Sequence, residues 1–234
     1  PSLAGVSVHV ASAGDTRGVA SNPCVGGAVD QWFVGSASAV GATNQLILSN
    51  PGHTSVVVRI EAFGSAGPLA MGSAGTVVVA AGSIERVDLD GVVPSDPRIA
   101  LHVTTDAGMV AATLQVNELD GVKPQGVSFM TGSNAGNELV IPAVPIGDDG
   151  ATPSVRLVNT EAEEAQVSVE LIGPDGIDAL TGGSDVAVAP GAVLDLSLAG
   201  VSPGDYALRI HSDQPIAAGA LLVTETTGAG NRDM

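Results

Sequence analysis

The chain repeats itself. Residues 46–91 lie on residues 155–200 at one constant offset without a gap, so Asn50 falls on Asn159, Gly64 on Gly173, Gly82 on Gly191, Leu89 on Leu198 and Gly91 on Gly200. A chain with this property builds the same local structure twice. The matched positions are turn glycines and alternating apolar residues, which specify a fold. The acids, bases and nucleophiles that would specify chemistry are not among them.

The alternation has the period of a strand. Val58, Ile60 and Ala62 match Val167, Val169 and Leu171, while the intervening Val57, Arg59 and Glu61 match Gln166, Ser168 and Glu170. Successive side chains of a strand point to opposite faces, so this pattern buries one face and wets the other, as in antiparallel sheets. Val77 and Val79 match Val186 and Val188, Ala80-Ala81-Gly82 matches Ala189-Pro190-Gly191, and Val87 and Leu89 match Leu196 and Leu198. That order reads as strand, tight turn, strand. A further strand pair follows in each copy, residues 99–104 and 109–116 and then 206–211 and 215–223. Here the offset shrinks by two or three residues, and the slippage falls in turn-rich segments around Pro94-Ser95-Asp96-Pro97 and Asp106-Ala107-Gly108, since loops absorb deletions more readily than strands.

An opening strand at residues 31–34 and another at residues 139–144 bring each copy to about seven short strands, the spacing of a sandwich. No window shows a helical apolar stripe, and the Ala-rich runs near Ala111 and Ala217 have valine neighbours and flanking Gly or Pro that favour strand. The expected fold is all-β: two tandem immunoglobulin-like antiparallel sandwiches at residues 22–128 and 129–228. Residues 1–21 are an extension, linker or edge strand and residues 229–234 a tail. The boundary falls in the Gly-, Ser- and Asn-rich residues 120–137.

Composition narrows the partners. Eight basic residues against 25 acidic ones give a formal charge of -17, and phosphate neutralisation needs clustered Lys and Arg. Nucleic acid and anionic lipid are therefore poor partners. The ordinary use of such acidity is solubility. Aromatic residues are only 2% of the chain, so Val, Ala and Leu must fill the cores. No apolar run approaches the ~20 residues that span a bilayer. Pro1 in place of a methionine or signal peptide suggests a fragment or processed form, with any membrane tether preceding it.

Catalytic constellations are missing. There is no GxSxG elbow, P-loop or dinucleotide fingerprint. His102 and His211 take equivalent or near-equivalent outward strand positions without a companion at zinc spacing. No cofactor and no enzymatic activity are expected. Asp88-Leu89-Asp90-Gly91 resembles only the start of a calcium loop. The acidic loop with Asp148 and Asp149 could hold hydrated calcium weakly, although solvated turn carboxylates need no such explanation.

Two residues stand out as candidate partner contacts, Cys24 and Trp32. Cys24 is the single cysteine, so it is a buried thiol, a reactive thiol or half of an intermolecular bridge. Burial is the commonest fate, yet Pro23 and Gly26-Gly27 set it in an irregular turn, which points to the surface of the first domain and to a partner chain. Trp32 lies on the first strand, where a core role is the simpler account. A sugar site would need aromatic faces, and only Trp32, Phe33, Phe63, Phe129 and Tyr206 are available.

Gly14-Asp15-Thr16-Arg17-Gly18 with Cys24, followed by Gln31-Trp32-Phe33-Val34-Gly35-Ser36 and by Leu46-Ile47-Leu48-Ser49-Asn50-Pro51-Gly52, resembles an uncharacterised actinobacterial family, DUF5719. The resemblance covers nearly all of the chain. It implies an extracytoplasmic, membrane-anchored protein often encoded near cell-envelope glycosyltransferases, and no catalytic residues. The Asn-Pro-Gly turn also looks like that of bacterial Ig-like stalk modules, and in the second copy it degrades to Asn159-Thr160-Glu161. The functional expectation is a non-enzymatic interaction or scaffold module at the cell envelope that binds a protein partner of glycan assembly, such as a glycosyltransferase. The alternative is an envelope-glycan-binding module with weak calcium sites.

Overall fold

The computed structural model describes residues 5–121, 123–147, 153–174, 176–222, 224–226 and 231–233. In chain order the strands begin with β1 (Val6–Ala11), β2 (Gly18–Pro23), β3 (Asp30–Ser38), β4 (Ala42–Ser49), β5 (Val56–Gly64), β6 (Gly67–Leu69), β7 (Thr76–Val79) and β8 (Ile84–Asp88). Then come β9 (Asp96–Thr105), β10 (Ala111–Asp120), β11 (Lys123–Thr131), β12 (Gly136–Ile146), β13 (Ser154–Asn159) and β14 (Ala165–Gly173). β15 (Gly176–Ala179), β16 (Val186–Val188), β17 (Val193–Ser197) and β18 (Gly204–Leu221) complete the main sheets, and two short strands, Thr224–Thr226 and Asn231–Asp233, pair with each other. The only helical element among the described residues is a single 3₁₀ turn, Gly72–Gly75.

Strand pairing is antiparallel, and one pattern occurs twice. In the first set β9 lies between β3 and β5, β5 carries β6 and β7, and a second sheet runs β11-β10-β4-β8. In the second set the first half of β18 lies between β12 and β14, β14 carries β15 and β16, and the second half of β18 pairs with β13, which pairs with β17. Registers agree pair by pair: Val56↔Val79 becomes Ala165↔Val188, and Gln45↔Asp88 becomes Ser154↔Ser197. The offset then shrinks as the turn chemistry implied. Val103, opposite Ile60, corresponds to Ile210, opposite Val169, two residues short of the constant offset. Ala112, opposite Leu48, corresponds to Ala218, opposite Leu157, three residues short. A turn at residues 106–108 separates β9 from β10, whereas β18 runs through the matching stretch as one strand.

Each set holds its own sandwich-like core. Phe33, Ile60 and Leu101 from one sheet meet Leu46, Leu48 and Leu114 from the other. In the second set Val169, Leu208 and Ile210 share a cluster with Leu157, Leu198 and Ile216. The tight turns repeat too: Gly82 and Gly191 adopt φ of +64° and +65°, a left-handed conformation that side chains rarely adopt. Half of residues 120–137, expected to hold the boundary, is β11, which extends the first set through its pairing with β10. The amino-terminal segment is a hairpin. Asn22 donates to the Thr113 hydroxyl (3.2 Å) and His9 lies edge-on to Phe129, which dock the hairpin on β10 and β11.

Candidate functional site

Alternation in β3 sends Phe33 into the first core and Trp32 and Val34 to the opposite face, which in an isolated sandwich would be wet. Here it is dry. Trp32, Val34 and Ala100 pack on Val158, Val193 and Ala217 of the second set, forming a third apolar cluster. Backbones come close enough that a Cβ on Gly219 would collide with the Val34 carbonyl oxygen. Arg156 on β13 is 4% exposed. Its Nε and Nη2 donate to the Asp195 carboxylate at 2.7 and 2.9 Å, while its guanidinium also reaches across to the carbonyls of Ser36 and Pro97. A planar cation with five fixed donors is suited to such a junction, because it satisfies a carboxylate and two carbonyls from one position.

Where this interface opens to solvent it forms a cleft of about 540 Å³. The first set contributes Asp30, Trp32, Glu61, Phe63 and His102; the connector contributes Asn134; the second set contributes Thr160 and Glu161. The His102 ring stacks on Trp32 with centroids 4.1 Å apart and planes at 10°, and Phe63 tilts against Trp32 at 5.2 Å. Asp30 Oδ1 lies 3.1 Å from His102 Nε2 and Glu61 Oε2 lies 3.4 Å from Nδ1. A neutral imidazole carries one N–H, so it donates to one of these carboxylates; only the imidazolium serves both. Backbone bonds between Trp32 and Ser133, each 2.8 Å, fix the connector against β3. The Glu161 N–H donates to Asn159 Oδ1 at 2.9 Å, which sets the opposite wall.

The second set carries the corresponding positions with a different outcome. Glu170 stands where Glu61 does, but its cross-strand neighbour is Arg209 where Glu61 faces His102. Arg209 Nη2 lies 2.5 Å from the Glu170 carboxylate. Glu138, the counterpart of Asp30, has its own partner in His211 at 2.5 Å. By register, then, His102 corresponds to Arg209, and His211 lies two positions along the same strand. Trp32 corresponds to Val140, which is 61% exposed. The cavity there is smaller, about 370 Å³, and is lined by His211 but by no tryptophan or phenylalanine.

The candidate contacts part company. Cys24 is exposed just after β2, its N–H bonded to the Gly5 carbonyl. Trp32 is 4% exposed and serves as the floor of the cleft. Asp148 and Asp149 lie outside the described residues, among which no group of three or more His, Cys, Asp and Glu is placed to hold a metal ion. Asp30, Glu61, Phe63 and Glu161 escape a reading of the sequence because three separate segments, β3, β5 and the turn after β13, bring them together. The one signal was Trp32 directly beside Phe33: two large apolar neighbours on a strand require both faces to be covered.

No helix among the described residues is long and apolar enough to cross a membrane. No curated protein matches the chain. Among solved structures, a crystal structure of Thermotoga maritima 1070 aligns at 15% identity over 47% of this chain and 96% of that one with a TM-score of 0.36, a likeness too slight to carry an argument. A family model described as a family of unknown function, DUF5719, matches residues 1–234.

Proposed function

The chain belongs to the DUF5719 family over residues 1–234, and from that premise we propose that it is a non-enzymatic interaction module: two tandem immunoglobulin-like sandwiches acting outside the cytoplasmic membrane at the actinobacterial cell envelope. In the full-length protein a membrane anchor would hold it there. Its partner is a protein of envelope glycan assembly, with a glycosyltransferase the leading candidate. The doubled two-sheet pairing supports the tandem-sandwich reading. The observation that carries the functional reading is the cleft itself, preformed at the junction of the two sets and held by a buried apolar cluster and the Arg156 clamp. Ligand sites favour such junctions.

A photo-cross-linker placed at Asn134 on the cleft wall tests this in envelope membranes, with Asp178 on exposed β15 as the control. One defined protein adduct from Asn134 and none from Asp178 is expected. No adduct from Asn134 would sink the proposal.

A second reading has its own observation. Three rings, Trp32, Phe63 and His102, border the cleft beside carboxylates and Asn134, a lining also suited to a sugar of the envelope glycan. Glycan-array binding lost in Phe63→Ala, without a protein adduct, would reverse the order of the two readings.

A further inference from the structure

We infer that the cleft between the two strand sets recognises a cationic side chain, the ammonium or guanidinium of a basic segment on the partner protein. The inference rests on the interaction-module reading and names the chemistry its site selects. Three carboxylates, Asp30, Glu61 and Glu161, line the cleft, and no Lys or Arg does. Asp30 and Glu61 are 56% and 64% exposed at the side chain, so both reach solvent and a ligand. With His102 neutral, or even as the imidazolium, the lining remains net negative.

Two further observations point the same way. The cleft is bordered by rings, Phe63 and the His102 ring that lies stacked over buried Trp32, and aromatic ring faces such as that of Phe63 attract ammonium and guanidinium groups. The protein also supplies its own control. At the matching place in the second set the cation is built in: Arg209 occupies the position of His102 and pairs with Glu170, and an exposed valine replaces the tryptophan. The first set keeps the carboxylates, lacks the internal guanidinium and adds the rings. A partner's Lys or Arg entering the cleft would restore there the ion pair that the second set completes internally.

Trp32 is the only tryptophan, so its fluorescence reads the cleft directly. The full chain is titrated with a Lys-Gly-Lys-Gly-Lys peptide blocked at both ends, and with the same peptide acetylated on every lysine at matched ionic strength. A saturable change in emission with the first peptide and none with the second is expected. Asp30→Asn and Glu61→Gln should each weaken binding about two- to fivefold, as for a partly exposed ion pair. Glu170→Gln should leave binding unchanged. Glu61→Lys, at an exposed position that tolerates the substitution, should abolish binding by placing a cation in the cleft. Absence of a saturable change, an equal response to the acetylated peptide, or an equal loss in Glu170→Gln would overturn the inference. If the peptide fails while the Asn134 cross-link persists, cation recognition falls and the interaction module stands; if both fail, both fall.

Discussion

Asn50 and Asn159 perform the same task with the same atoms. The Asn50 side-chain amide donates to the carbonyls of Thr54 and Val79, and its oxygen accepts from the Gly52 N–H. Asn159 bonds Glu163, Val188 and Glu161 in the same way. The shared bonds use the asparagine side chain and, at Gly52 and Glu161, only a backbone N–H that any residue but proline supplies, so the turn survives intact in the second copy, where Thr160 and Glu161 follow the asparagine. The expectation that it degrades there weighed the wrong residues. Both asparagines are buried, and removing one takes a donor from at least two carbonyls and the acceptor from one N–H. Asn50→Ala and Asn159→Ala should each cost on the order of 2–4 kcal/mol in urea unfolding, whereas Pro51→Ala should cost little. The alternation gives a second residue-scale test. Ile60→Ala and Val169→Ala remove buried methyl groups and should each cost on the order of 1–4 kcal/mol, while Arg59→Ala, on the wet face with its Asp106 partner, should barely move the melting temperature. Exposed Cys24 should react with a thiol reagent in the folded protein as fast as in urea.

At the scale of the strand, period two made β5 and β14 readable, because each has one buried and one wetter face. β3 and β13 break that rule. Gln31, Trp32, Phe33 and Val34 are buried in succession, as are Val155, Arg156, Leu157, Val158 and Asn159, because each strand is covered on both sides, by its own core and by the neighbouring set. Local pattern contains the first cover and not the second, so the fold was legible and the cleft at the junction was not. Asp96, at the start of β9, offers a test through pH. Burial alone would push its carboxyl up. Hydrogen bonds from the Ser65 hydroxyl and the Arg98 and Ser65 N–H groups, with the Arg98 charge, more than offset that and hold the carboxyl below its ordinary value. A carboxyl lowered on folding stabilises the native state above its unfolded value and loses that contribution as pH falls through the folded one. Asp96→Asn should therefore lower the melting temperature near neutral pH, and the gap from the unsubstituted protein should close in acid. A gap that stays constant from neutral to acid pH would mean the carboxylate's charge contributes nothing.

Across the whole molecule, the question is whether the two sets unfold together. A long surplus of negative charge, -17 in all, works against bringing them close, since net charge repels itself in the compact state. The Trp32–Val158–Ala217 cluster works in favour, and Arg156 ties β13 to both β3 and β9 while neutralising Asp195. Arg156→Ala would leave Asp195 and two carbonyls without their partner at the junction. Asp195 keeps partial access to water, 28% at the side chain, which tempers the loss to about 2–4 kcal/mol. Because the substitution touches neither sandwich core, the lost free energy should come out of the coupling between the sets. Calorimetry should show one cooperative transition in the unsubstituted protein and two in Arg156→Ala, with Gly219→Val splitting the transition in the same way by forcing the Val34 backbone apart. The cleft depends on the same junction, so both variants should also lose the Trp32 response to the lysine peptide while Ile60 and Val169 remain packed. A single transition shifted as a whole in both variants would mean that the junction is part of one continuous core, and that the two sets, though built alike, never fold apart.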